Sequence, residues 1–416
     1  MKSFLRLFVV GLLAALAHSL PVFAQLKTDS PLPTHQELNR LGLERGWWGH
    51  AVLNPSRDKI KHMSIDEDTI YMQANSGVTT AFDAESGQQL WAVHLGRFDE
   101  PSFPAVSNEN QALIVVGSTM YALEKRTGKT VWTLILTGQP STGPSLDDKH
   151  VYFGTLDGSV YAYSLRKIRQ LYEERRLPQW SMEAQVWKYK AGKEITSPPI
   201  STGRVVNFGS SDGILYSVNA VDRKTIFQLE TDKPIIAPLT RLDNTMFMAS
   251  EDYTFYALNL FSGRVKWEFT SGLPIRKTPW ALDNTLFLLP DRGGMYCLDP
   301  ETGVRRWWKP DLTNFIAILG NTVAASDGNG NLVMVSRDKG ETIGSLPLRR
   351  YTVRTGNDRT DRIYMATESG IVICLRQSGH TYPVFHRFPD RLPLLPEITP
   401  DDDESSMPET EANSAE

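Results

Sequence analysis

Tyr121-Ala122-Leu123-Glu124-Lys125-Arg126-Thr127-Gly128-Lys129-Thr130-Val131-Trp132 is a stretch that this chain writes repeatedly. Taken alone it reads as two short strands and a tight hairpin. Tyr121 and Leu123 alternate onto one face, Val131 and Trp132 open the second strand, and Gly128 supplies the positive-φ residue that closes a type I turn with a bulge. Aligning on Tyr121 and Gly128 brings out Thr80, Gly87 and Trp91, then Tyr256, Gly263 and Trp267, then Tyr296, Gly303 and Trp307, always with seven residues from the first to the glycine. Weaker copies keep the register. Tyr161 runs into an insertion before Trp187, Tyr216 leads to Phe227 with Lys224 read in the glycine's place, Val333 leads to Gly340, and a partial copy sits near Ile373.

The copies recur about every 40 residues, which is the length of a propeller blade. Upstream of each hairpin lies a second strand pair whose turn reads Asp157-Gly158, Asp212-Gly213, Arg292-Gly293, Asp327-Gly328 or Ser369-Gly370. Four short strands per unit and eight units predict an all-β fold, an eight-bladed β-propeller of four-stranded antiparallel blades spanning residues 46–380. The eighth unit ends near Leu375 without a tryptophan-bearing strand, while Arg45-Gly46-Trp47-Trp48-Gly49-His50-Ala51-Val52-Leu53 is a strand without a hairpin partner. An unpaired edge is a liability, so the N-terminal strand is expected to close the ring, with Trp47 or Trp48 in the last blade's tryptophan position.

Of the 416 residues, 41% are hydrophobic and 10% aromatic, enough for a large core. Residues 1–24 read as a signal peptide: Lys2 and Arg6, an apolar run from Leu7 to Leu20, and Val22-Phe23-Ala24 before a cleavage point near Ala24-Gln25. Gln25 is not the cysteine a lipobox requires, so the expected product is periplasmic or secreted, with no transmembrane segment. Residues 25–45 read as a flexible lead-in, 166–185 as a helical insertion with Ile168, Leu171 and Tyr172 on one side, and 381–416 as a Pro-containing acidic disordered tail. Lys plus Arg number 44 against 48 Asp plus Glu, and seven of the acids lie beyond residue 400, so the body is near neutral and nucleic acid is not an expected partner.

Given the signal peptide, the repeats resemble the pyrroloquinoline-quinone-type β-propeller repeat family of the quinoprotein alcohol dehydrogenase-like superfamily, whose motif is A-x-D-x-x-T-G-x-x-x-W. The chain carries it as Ala81-Phe82-Asp83 with Ser86-Gly87 and Trp91, Ala122-Leu123-Glu124 with Thr127-Gly128 and Trp132, and Cys297-Leu298-Asp299 with Thr302-Gly303 and Trp307. The resemblance implies either of two uses of one ring. Quinoprotein dehydrogenases hold the quinone and a calcium ion against an adjacent cysteine pair, whereas the propeller subunit of the outer-membrane β-barrel assembly machinery is a binding module. The two cysteines here, Cys297 and Cys374, are far apart in sequence and fall in different blades, where free buried thiols are expected.

Other chemical signals dissolve into the repeat. Thr127-Gly128-Lys129-Thr130 lacks the upstream glycine of a phosphate loop, and Asp327-Gly328-Asn329-Gly330-Asn331 lacks the sixth-position glycine of a calcium loop. The eight histidines show no zinc spacing. Trp91, Trp132, Trp187, Trp267 and Trp307 recur in register with the turn and read as inter-blade packing. Loops from one blade's outer strand to the next blade's inner strand carry Arg97, Lys193, Lys233, Arg276, Lys277, Arg349 and Arg354, a candidate rim for an anionic ligand or partner, diluted by Glu100 and Glu194. The expectation is an exported propeller without catalytic residues or cofactor, acting as a protein-binding scaffold with a partner in the cell envelope. The alternatives are a quinone-dependent dehydrogenase with calcium, and a carbohydrate- or peptide-binding propeller.

Overall fold

The computed structural model describes residues 32–387. By contacts the chain divides into Met1–Thr34 and His35–Glu416, and the architecture that follows is that of the second unit. The signal peptide, the first residues of the lead-in and the tail beyond Arg387 lie outside the described residues.

Eight four-stranded antiparallel sheets follow one another along the chain. Blade 1 is Ile60–Ile65, Thr69–Ala74, Val78–Asp83 and Gln89–His94, and the pattern repeats to blade 7, which ends on Thr342–Leu346. Blade 8 takes Val353–Arg354, Ile363–Ala366 and Ile371–Gln377 from the C-terminal end of the ring and Leu43–His50 from its beginning. That closing ladder runs from Leu43 opposite Gln377 to His50 opposite Ile371. Trp47 is the buried tryptophan of this strand and Trp48 faces solvent. Second strands such as Thr69–Ala74 and Thr245–Ala249 are buried along their whole length, because a blade on either side covers both faces. Outer strands such as Val265–Thr270 alternate between half-buried and exposed residues.

The recurring hairpin has two functions. Its acidic or amide residue caps the turn, as Asp299 Oδ1 does by accepting from the backbone N–H groups of Glu301 and Thr302, each at 3.0 Å. Its glycine, at φ +72° for Gly303, is also a landing surface. A Cβ built there would lie 2.5 Å from the Trp267 ring of the preceding blade. Trp267 Nε1 donates to Pro300 O at 3.1 Å, three residues before that glycine. The same bond runs from Trp47 to Ala84, Trp91 to Lys125, Trp187 to Ala220 and Trp307 to Arg337. In blade 4 this register puts Arg223, at φ +56°, in the glycine position. Lys224, the sequence-based choice, is one residue too late. The upstream turns are likewise displaced in two blades: the positive-φ glycines are Gly294 and Gly330 rather than Gly293 and Gly328.

Three departures concern the seams. Ordered chain precedes Gly46: helix α1 (His35–Asn39) buries Leu38 completely, and the closing strand begins at Leu43. Leu41 lies against Gly344, where a Cβ would meet its Cδ2 at 2.4 Å. Gly344 occupies the tryptophan position of blade 7, and blade 8 has no hairpin for a tryptophan to land on, so the N-terminal segment fills that place. At the other end Phe385 and the His386 side chain are also packed, while Tyr382 and Val384 stay exposed. In blade 3, helix α2 (Leu165–Glu173) replaces the hairpin and buries Ile168 and Leu171 in one cluster with Trp132, while Tyr172 stays exposed.

Candidate functional site

Each inner strand runs from the loop that brings the chain in from the preceding blade to the turn into the second strand. The turns between second and third strands bond back to those incoming loops, as in Leu156 N–H to Gln139 O and Glu251 N–H to Pro234 O, each at 3.0 Å. The ring therefore has one face of incoming loops and an opposite face of first-turns and docking hairpins.

The seven sequence-selected cations belong to the incoming-loop face, and the structure does not gather them into one site. Arg276 bridges Glu251 at 2.5 Å and Asp291 at 2.6 Å. Lys277 Nζ donates to Thr313 O at 2.7 Å, and Arg354 gives its guanidinium to the carbonyls of Tyr351, Gly330 and Leu348. The backbone N–H of Arg97 donates to Glu100. Lys193, Lys233 and Arg349 extend exposed side chains from separate blades. The same face exposes Phe98, Leu156, Tyr253 and Leu273. The docking tryptophans Trp91, Trp132, Trp187, Trp267 and Trp307 lie between blades.

An axial concave site lies elsewhere. A cavity of about 410 Å³ follows the axis, walled by the inner strands of blades 1 to 6 and by blade 8. Prolines that start the inner strands line it, among them Pro144, Pro199, Pro238 and Pro279. None of the seven rim cations is on its wall. Its charged members are Asp66, Arg241, Asp358, Arg359 and Arg387. The segment ending at Arg387 crosses back over the first-turn face. His386 Nδ1 reaches Asp283 of blade 6 at 2.7 Å, and Arg387 pairs with Asp358 of blade 8.

The carboxylates here are all engaged. Asp66, buried at 7% exposure, takes Lys125 Nζ and Ser107 Oγ, and Lys125 also reaches Asp68 Oδ1 at 2.5 Å. Burial alone would raise the Asp66 pKa, but hydrogen bonding with Glu67 and the Lys125 charge outweigh it and hold the group far below the usual carboxylate range. Asp147, two first-turns along in blade 3, is likewise depressed despite burial, by hydrogen bonds from His150, Ser201 and Tyr152. Glu67 binds Arg359 at 2.6 Å. Sequence reading missed this set because the first-turns lack the glycine-tryptophan regularity that drew attention to the hairpins. The proline just before the inner strands of blades 2 to 6 was the available signal.

Cys297 and Cys374 are free, buried and off the cavity wall, opposite Trp307 and Trp47 in their ladders. Burial pushes the Cys297 thiol up to about 12. Among the described residues no group of three or more His, Cys, Asp or Glu is arranged to hold a metal ion, and no helix is long and apolar enough to cross a membrane.

Comparison with known proteins adds three findings. The family profile described as outer membrane protein assembly factor BamB matches residues 74–184 and 238–382. A curated relative, the outer membrane protein assembly factor BamB of Moranella endobia, is 23% identical over 167 residues, which is 37% of this chain and 40% of the relative's length. Among solved structures, BamB from Moraxella catarrhalis superposes with a TM-score of 0.62 at 16% identity, covering 81% of this chain and 98% of that one. The computationally designed Ika8 protein superposes at 0.61 with 13% identity over 78% and 98%. At such identities the two superpositions establish the propeller fold alone.

Proposed function

This chain belongs to the outer membrane protein assembly factor BamB family, and on that premise we propose that it is an exported, non-catalytic propeller that binds a protein partner during outer-membrane protein assembly in the cell envelope. The observation that carries the reading is the family match, which spans both halves of the ring. Two physical features support it. Each carboxylate on the cavity wall is held by a cation, so none is free to act as a general base. The incoming-loop face combines exposed Phe98, Leu156, Tyr253 and Leu273 with Lys193, Lys233 and Arg276, and aromatic or aliphatic anchors amid basic groups suit a protein partner.

The quinone-dependent reading is weaker on the chemistry of the donor set. Both thiols lie between blades rather than at the axis, and the wall offers no carboxylate cluster for calcium. The test is a crosslink and purification of the tagged mature chain from its own envelope fraction, in parallel with Phe98→Ser combined with Tyr253→Ser. A specific protein partner lost in the double variant is the expected result. Turnover of alcohols or aldose sugars after addition of pyrroloquinoline quinone and calcium would reverse the assignment.

A further inference from the structure

The cavity wall offers more hydrogen-bond donors than there are acceptors to meet them. Its two carboxylates, Asp66 and Asp358, are taken by Lys125 with Ser107 and by Arg387. Against them stand two buried hydroxyls without a well-formed hydrogen bond, Tyr71 Oη, which has Ser107 and Thr69 beside it, and Ser145 Oγ, while Arg359 is shared between Glu67 and Asp358. Tyr71 is only 1% exposed, and the space it lines is this cavity. Native proteins rarely leave such groups unmet. The inner strand of blade 5 adds Arg241. Burial and the neighbouring Arg387 charge both depress its ionisation, and no carboxylate acts on it. Arg387 has Asp358 as its counter-ion and Arg241 has no carboxylate of its own, so a second anion between the two guanidinium groups would relieve their repulsion.

We infer that the first-turn end of the axial cavity is an oxyanion site: Arg241 and Arg387 hold a carboxylate or phosphate group, and the Tyr71 and Ser145 hydroxyls meet a small ligand along the wall. The volume of about 410 Å³ suits a ligand of metabolite size. The oxyanion has two conceivable sources, a free ligand or this chain's own residues 401–416, which carry seven carboxylates and no cation and follow from Arg387 at the mouth.

Calorimetry and thermal melts of the mature chain with citrate and with inorganic phosphate test the site and separate the sources. Saturable binding that raises the melting temperature is expected. Arg241→Gln should weaken it about tenfold or more, as loss of a charge-assisted contact does, and Tyr71→Phe should weaken it less. Lys224→Gln, in an exposed hairpin turn off the cavity wall, should change nothing. Arg241 makes no contact whose loss should unfold the chain, so these variants remain readable. If the wild type binds neither probe but the variant D401N/D402N/D403N/E404Q binds citrate and loses it again on Arg241→Gln, the oxyanion comes from the chain itself. Absence of binding in both backgrounds, or binding indifferent to Arg241→Gln, overturns the site.

Discussion

Gly303 and Gly272 both have positive φ, near +72° and +74°, yet only Gly303 has a tryptophan against it. Replacing Gly272 with alanine should cost backbone strain alone, about 1 kcal/mol. Gly303→Ala also displaces Trp267 and should cost on the order of 3–5 kcal/mol, approaching loss of the ring itself; denaturant midpoints of the two variants measure the difference. Lys125 is the other decisive residue, since its removal strands Asp66 and Asp68 beneath blade 2. Lys125→Met should cost ~3–5 kcal/mol near neutrality. Because the folded pKa of Asp66 is depressed, its stabilisation is complete above about pH 4 and is lost as pH falls through the folded value. Urea midpoints should therefore differ most at pH 7, and the difference should narrow as pH falls below about 4. The hairpin glycines were legible in the sequence because a turn and a docked ring demand the same residue. Lys125 was not, because its partners lie 59 and 57 positions away, in the neighbouring blade.

At the scale of elements, the seam between blades 7 and 8 depends on the segment before the closing strand. A chain starting at His35 retains Leu38 and Leu41; one starting at Leu43 loses both and leaves Gly344 uncovered. The second should be less stable by about 2–5 kcal/mol, and a chain starting at Asn54, without the outer strand of blade 8 and Trp47, should show no cooperative melt. Equal melting temperatures for the first two would remove α1 from the fold's stabilising contacts. Closure by the N-terminal strand could be read from an orphan strand at one end and a missing one at the other. The role of Leu41 could not, since what marks it is a tryptophan absent from blade 7. Helix α2 was visible as an amphipathic break, and its partner Trp132 becomes clear only once the missing hairpin of blade 3 is seen as a missing landing surface.

For the whole molecule, repetition made the ring legible and hid the site. A period of about 40 residues specifies eight blades, but a cavity at the axis is assembled from positions that differ between blades, so Arg241, Arg359 and Arg387 share no motif. The rim cations shared a loop position, and the structure gives them separate fates: Arg276 in ion pairs, Lys277 and Arg354 on backbone carbonyls, and Lys193, Lys233 and Arg349 exposed on separate blades. The most direct test of the proposed role is a deletion strain whose outer-membrane β-barrel proteins are quantified with and without the mature chain supplied in trans. The account predicts reduced barrel-protein levels on deletion, restored by the wild-type chain and not by the Phe98→Ser/Tyr253→Ser variant, with the variant folded and present at equal amount. Unchanged barrel-protein levels in the deletion strain would contradict it.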